Sequence, residues 1–480
     1  MHLTEYARYD AVGLAELVTK KEVTSKELAS LALQAIDHVN ADLNATIQTF
    51  TERVDSCAAS GPFSGVPMLN KDIGCEEKGV LCEMGSKLAL GNICTQDSLV
   101  FSRFRQAGFI NLGRTTTPEF GLAGVTENSV TGISRNPWNR DHTPGGSSGG
   151  SCAMVAAGAV PIATASDAGG SIRSPASHSG LVGLKPTRGR IPAGPSHAES
   201  LNGLGTTFAV TRTMRDCAAT LDAVQGAAIG DPYKIAPPAR PYMDELGQRS
   251  KPMRIAYSTT PWVRACDPEV DAGVKQALSV LEDAGHHVEE ARPEIDYVAL
   301  MAAALTLSCA SVANSSDALG ALLDRKPGPD NLQSATWAFY EVGKKLSASD
   351  VLNALDVLNV VNRQAGQFFE SYDVLVLPSC LGPAPLIGAL DCDPVGPVDP
   401  HTWNEQVSKL GVFMPLFNVT GQPAISLPLH QSSTGLPIGV QFAAKFGDEA
   451  RLFALGGLLE EALPWADRIP PLHVSNKLSQ

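Results

Sequence analysis

The chain has 480 residues, 44% of them hydrophobic and 18% charged, with a formal net charge of −13 at pH 7. That length can bury a large core, and the composition is that of a globular protein rather than a disordered or fibrous one. The acidic balance argues against nucleic acid and anionic membranes as partners, since both reward basic surfaces.

Taken in chain order, the start MHLTEYARYDAVGLAEL carries charges where a secretory signal has an apolar stretch. Thr24 and Glu27 have capping-box spacing, followed by Leu28, Leu31, Ala32, Ala35, Ile36 and Val39 at helical intervals, which predicts a helix beginning after Thr24. A second helix is predicted from Asp267 as cap and Pro268 at the first position, with Val270, Val274, Leu278 and Leu281 on one face and a stop near Gly285. Short apolar runs bounded by Pro or Gly predict buried strands at 65–69, 109–113, 374–378, 424–429 and 437–444. The uncharged segment 297–316 is long enough to span a bilayer, yet its Ala and Ser content predicts a buried helix instead. The region from about 290 to 370 shows no strand pattern and is expected to be a helical cover. Helices alternating with buried strands predict an α/β protein, its sheet covered on both faces. The polar, proline-bearing stretch 233–252 is the weakest point along the chain, but strand patterns lie on both sides of it. One large domain over 1–480 is expected.

The ten cysteines (Cys57, Cys75, Cys82, Cys94, Cys152, Cys217, Cys266, Cys309, Cys380 and Cys392) form no CxxC pair. Without a secretory signal they read as reduced thiols in a cytoplasmic protein. The ten histidines have no metal-ligand spacing, so no metal site and no cofactor are expected.

The segment PGGSSGGS, residues 144–151, contains G-x-S-x-G, the pattern of a hydrolase nucleophile elbow. That elbow needs a buried strand just upstream, and SRNPWNRDHT is polar and irregular. A phosphate loop would need a following Gly-Lys-Ser/Thr, which is missing. A second glycine–serine cluster, DAGGSIRSP at 167–175, follows a small, apolar run that suits a packed helix leading into a strand. One such cluster alone reads as a tight turn. Two of them joined by a packed unit could hold two hydroxyls at a fixed separation.

The whole run from Gly145 to Ala176 resembles the signature of the amidase signature family. GVPMLNKD (65–72), GRTTTPEFG (113–121), RNPWN (135–139), GLVGLKPTRGRI (180–191), FNVTGQPAISLPL (417–429) and GLPIGVQFAAKFGDEARLF (435–453) resemble further stretches of that family, in its order. The resemblance implies an amidase signature fold: a large, mostly twisted mixed sheet with helices on both faces, its signature core at about 60–230 and a helical region at about 290–370 over the substrate. It also implies a Ser-cis-Ser-Lys triad. By motif these are Lys71 as base, Ser147 after a cis peptide as relay, and Ser171 as nucleophile. PGGSSGGS would then supply a relay, and the attacking serine lies outside it.

The residue types suit that chemistry. A serine hydroxyl needs an adjacent base, and a lysine serves only when neutral. Its pKa must fall from about 10.4 toward roughly 7–8, which desolvation can achieve. Lys71 follows an apolar stretch and precedes Ile73, whereas Asp72 would point the other way on an extended segment. The backbone N–H groups of Ala168, Gly169, Gly170 and Ser171 are the expected oxyanion hole. Asp167, Arg173 and Ser148 are expected to support these loops, Ser148 by a hydrogen bond within its own loop. Lys185 and His178 are rival bases by proximity to Ser171, and both are read as structural.

Within the family the pattern resembles the 6-aminohexanoate cyclic dimer hydrolases and related bacterial amidases. The implied substrates are small amides, anilides, amide oligomers or carbamates, with low esterase activity. Segments 120–130, 190–210 and 300–345 are expected to line the pocket, with Cys309 as a candidate pocket residue. The alternatives are a glutaminase-type subunit of a tRNA-dependent amidotransferase, or a catalytically idle binding subunit. A homodimer is the expected assembly.

Overall fold

A computed structural model describes residues 1–480 apart from 57–59, 249–250, 261, 263–264 and 478–480; Cys57 therefore lies outside the described residues. The Thr24 hydroxyl accepts from the Glu27 N–H and the Glu27 carboxylate accepts from the Thr24 N–H, so the helix Ser25–Leu43 begins with a complete capping box. Asp267 caps the helix Pro268–Asp283 as its sequence requires. Both helices bury their apolar faces against the sheet layer.

That sheet has eleven strands: β1 (Thr46–Thr49), β2 (Pro67–Lys71), β3 (Ile110–Thr115), β4 (Ile162–Asp167), β5 (Val182–Lys185), β6 (Thr206–Thr211), β7 (Arg254–Tyr257), β8 (His287–Glu290), β9 (Val374–Pro378), β10 (Ala424–Gln431) and β11 (Pro437–Ala444). Their order across the sheet is β1-β3-β2-β4-β6-β5-β10-β11-β9-β7-β8. β2 runs parallel to both β3 and β4, whereas β5, β6, β10 and β11 pair antiparallel with their neighbours, so the sheet is mixed. The runs read as buried strands are so because both faces are covered: every residue of β9 and β11 is buried.

The parallel pairing of β2 with β4 positions the candidate site. It brings the carboxyl ends of two strands, Lys71 and Asp167, to the same edge of the sheet. Open α/β sheets place their ligands outside such strand ends. Between β3 and β4 the chain forms the helix Gly149–Ala156, every residue of it buried, whose small side chains allow close packing under the strands.

The region expected to be helical consists of Tyr297–Leu323, Ser334–Gly343 and Ala348–Ser371, which pack on one another. Tyr297–Leu323 is, among the described residues, the one helix long and apolar enough to cross a membrane by length and composition. It is buried on one side only. Leu300 and Leu307 join a cluster with Leu375, Leu377 and Phe417, and Leu305, Cys309 and Val312 join another with Phe339 and Trp403. Val298 and Leu322 stay on its exposed side.

Candidate active site

Lys71 ends β2 with only 2% of its surface exposed. Its Nζ donates to Ser147 Oγ at 2.8 Å and to Ser166 Oγ at 2.9 Å, while its backbone N–H donates to Thr164 Oγ1 at 2.9 Å. Burial pushes the amine down to about 7, against the opposing pull of the Asp167 carboxylate. Asp72 points away, as alternation along a strand requires, and receives Arg114 Nη2 at 2.6 Å.

Ser147 sits in a pinned loop. Thr117 Oγ1 donates to the Ser147 carbonyl at 3.0 Å and Thr126 Oγ1 to the Gly145 carbonyl at 2.7 Å. The Gly146–Ser147 peptide is cis. Gly146 has no room for a side chain, since a Cβ there would lie 2.6 Å from the Val125 carbonyl oxygen. Ser148 does not bond within its own loop. Its hydroxyl lies 3.3 Å from both the N–H and the carbonyl of Ser166, tying the loop to the end of β4.

The loop after β4 is braced from below by a buried ion pair. Arg173 Nε donates to Asp167 Oδ2 and Nη2 to Oδ1, each at 2.9 Å, with neither side chain exposed. Arg173 also donates to the Met414 carbonyl, Gln441 and Asn418, and Asn418 Nδ2 donates back to Asp167 Oδ1 at 2.8 Å. Burial alone would raise the Asp167 carboxyl, but the Arg173 charge and these hydrogen bonds outweigh it and hold the group far below the carboxylate range.

This brace corrects one expectation. The Gly170 N–H donates to Asp167 Oδ1 at 2.7 Å, so it is committed to the loop and does not face the cavity as an oxyanion donor. The N–H groups of Ala168, Gly169 and Ser171 have no hydrogen-bond partner among the described residues. Gly170 is nevertheless required, because its φ is +123° and a Cβ would meet Met414 Sδ at 2.5 Å.

Ser147, Ser166, Ala168, Gly169, Gly170 and Ser171 all line one cavity of about 420 Å³. Ser171 is half-buried, and its hydroxyl has no hydrogen-bond partner among the described residues. The walls include Phe120 to Gly124, residues between Ile191 and Thr207, and one face of the helix from Met301 to Ser315, within the segments expected from sequence, together with Arg188 and Gly189 just outside them. Sequence reasoning missed Ser166, the second hydroxyl on Lys71, and the segment from Asn404 to Met414 that closes the far wall. The direct neighbour relation of Ser166 to the DAGGS cluster was a signal for the first; the second has none.

Cys309 requires a further correction. It is absent from the cavity lining and only 1% exposed, packed with Leu305 and Phe339 behind the wall. Helical spacing turns Leu305, Ser308 and Val312 toward the cavity in its place. The rival bases stand apart as well. Lys185 Nζ donates to the Pro186 carbonyl at 2.8 Å and is outside the lining. His178 is buried and also outside it; burial pushes its imidazole down to about 4 against a hydrogen bond with the Gly382 backbone, and its Nδ1 has no hydrogen-bond partner among the described residues.

Comparison with known proteins finds relatives over nearly the full chain. The Amidase family profile matches residues 27–453. The 6-aminohexanoate-cyclic-dimer hydrolase of Pseudomonas sp. (strain NK87) is 36% identical over 475 residues, 96% of each chain. The lipoamidase of Enterococcus faecalis is 31% identical over 477 residues, covering 95% of this chain and 63% of that protein. A solved structure of 6-aminohexanoate cyclic dimer hydrolase complexed with substrate superposes with a TM-score of 0.92 at 34% identity, over 97% of this chain and 99% of that one. A bacterial aryl acylamidase of the amidase signature family shares the fold, with a TM-score of 0.85 at 22% identity over 98% of each chain. The protein is therefore a member of the amidase signature family of amide hydrolases.

Proposed function

We propose that the enzyme cleaves amides through an acyl-enzyme on Ser171, using Ser147 as relay and Lys71 as base. The observation that carries this reading is the buried Lys71 amine, 2.8 Å from the Oγ of Ser147, which lines the same cavity as Ser171. A neutral Lys71 takes the proton of Ser147 as Ser147 takes that of Ser171, and Ser171 Oγ bonds to the amide carbon. The carbonyl oxygen, now negative, is met by the N–H groups of Ala168, Gly169 and Ser171. Return of the proton through Ser147 to the amide nitrogen expels the amine. Water then enters by the same relay, releases the acid and restores Ser171.

The cavity supports small amides, anilides, amide oligomers or carbamates as substrates. Its walls are mainly apolar (Ile73, Val100, Phe120, Leu204, Met301, Leu305), with hydroxyls of Ser308, Ser311 and Ser315 along one helix. A single domain is the arrangement we propose, supported by strands from Thr46 to Ala444 sharing one sheet. The test is amine release from anilides, aliphatic amides, 6-aminohexanoate oligomers and aryl carbamates by the parent and by Ser171→Ala. Turnover confined to the parent is expected. Turnover that survives in the variant would rule out Ser171 as nucleophile.

A further inference from the structure

A second cavity, of about 460 Å³, lies next to the first. His178, Cys266, Leu381 and Pro385 are among its walls. Two structures form the partition between the cavities. One is the short helix Arg173–Ser179 that follows Ser171 and runs past both cavities: Ser174 lies in the wall of the first and His178, one turn further along the same face, in that of the second. Ser174 is backed by Cys380, whose Sγ lies 3.6 Å from Ser174 Oγ, and the next residues, Leu381 and Gly382, face the second cavity. The other is Leu410, the one residue among those described that lines both cavities.

The two halves of the partition differ in what they can tolerate. The helix side is fixed, because Arg173 and Asp167 form the brace under Ser171. The Leu410 side is a half-buried aliphatic side chain resting near Gly124, where an added Cβ would come 3.0 Å from Leu410 Cδ1. Its side chain makes no polar contact, so shortening it orphans no hydrogen bond.

We propose that Leu410 is the end stop of the substrate cavity. It sets how long a chain the amide substrate can carry on the side that points toward it, and the second cavity takes the overhang once that stop is shortened. The substrate class is a linear amide with an unbranched aliphatic arm. This inference rests on the amide-hydrolase reading of the first cavity.

The experiment uses the full chain, as parent, Leu410→Ala and Leu410→Phe. Each is assayed on two series of amides, one lengthened a methylene at a time on the acyl side, the other on the amine side. Covalent labelling by phenylmethanesulfonyl fluoride is followed by mass in parallel. In one of the two series the preferred length moves up in Leu410→Ala and down in Leu410→Phe. Burial of each further methylene favours the long substrate by about fourfold, so two of them change the long-to-short ratio of kcat/KM by more than about 10-fold. Length profiles of both variants that superimpose on the parent in both series, with labelling intact, overturn the role of Leu410. A parent that neither turns over any amide nor takes the label overturns the hydrolase reading, and the end stop falls with it.

Discussion

At the scale of single residues, the central feature is a lysine stripped of water. In the proposed mechanism Lys71 acts as a base only when neutral, and burial brings it to about 7. The sign follows directly: below that value the amine is protonated and cannot accept the relay proton, so kcat/KM should rise with pH through about 7 and level off above it. A pH–rate profile that stays flat from roughly pH 5 to 9, or climbs only near the ordinary lysine value of about 10.4, would contradict this. Lys71→Met should lower kcat/KM by about 10²–10⁴-fold, the usual scale for loss of a general base. The same burial sets Cys309 apart from its neighbours. Cys309→Ala is expected to shift Tm with little change in KM, whereas Ser308→Phe, on the cavity side of the same helix, should raise KM for anilides more than about 10-fold. Steady-state kinetics with a melting curve on each variant separates the two roles.

At the scale of elements, the site is two loops held against two parallel strand ends. Removing Arg173 leaves the Asp167 carboxylate buried without its counter-charge. Arg173→Leu should therefore cost on the order of 3–5 kcal/mol in unfolding free energy, measured by urea titration. Because Asp167 is held below its unfolded value, its contribution is present above about pH 4 and fades as the pH falls through the acid range, so the stability gap between parent and variant should narrow there. A gap that stays constant down to pH 2 would count against the brace. Gly146→Ala is expected to be inactive and destabilised, since the new Cβ would meet backbone rather than a side chain that could move.

Much of this was legible from sequence where one local rule dominates. The strands Val374–Pro378 and Pro437–Ala444 coincide with their apolar runs because both of their faces are covered. His287–Glu290 gave no such signal: it is an edge strand, three of its four residues exposed, so its composition is that of a surface loop. Thr206–Thr211 has an apolar run of only three residues, Phe208 to Val210, between threonines, too short to read as a buried strand. The triad positions came from motif resemblance, and their geometry is tertiary. That Gly170 gives its N–H to Asp167 while its neighbours do not depends on how the loop coils over the carboxylate, which spacing alone does not encode. The same holds for Cys309, one position around a helix from the cavity-facing Ser308.

At the scale of the whole molecule, a single sheet carries the strand ends of the candidate site on one half and a helical cover that reaches over them from the other. The cavity is thus assembled from segments more than 300 residues apart, from Ile73 to Pro415, and its shape depends on the entire fold. The account stands or falls on which oxygen becomes acylated. Phenylmethanesulfonyl fluoride should add one adduct to the parent, mapped by peptide mass to Ser171, with labelling abolished in Ser171→Ala and strongly slowed in Ser147→Ala and Lys71→Met. An adduct found on Ser147 or Ser166, or one that persists in Ser171→Ala, would contradict the assignment of Ser171 as nucleophile.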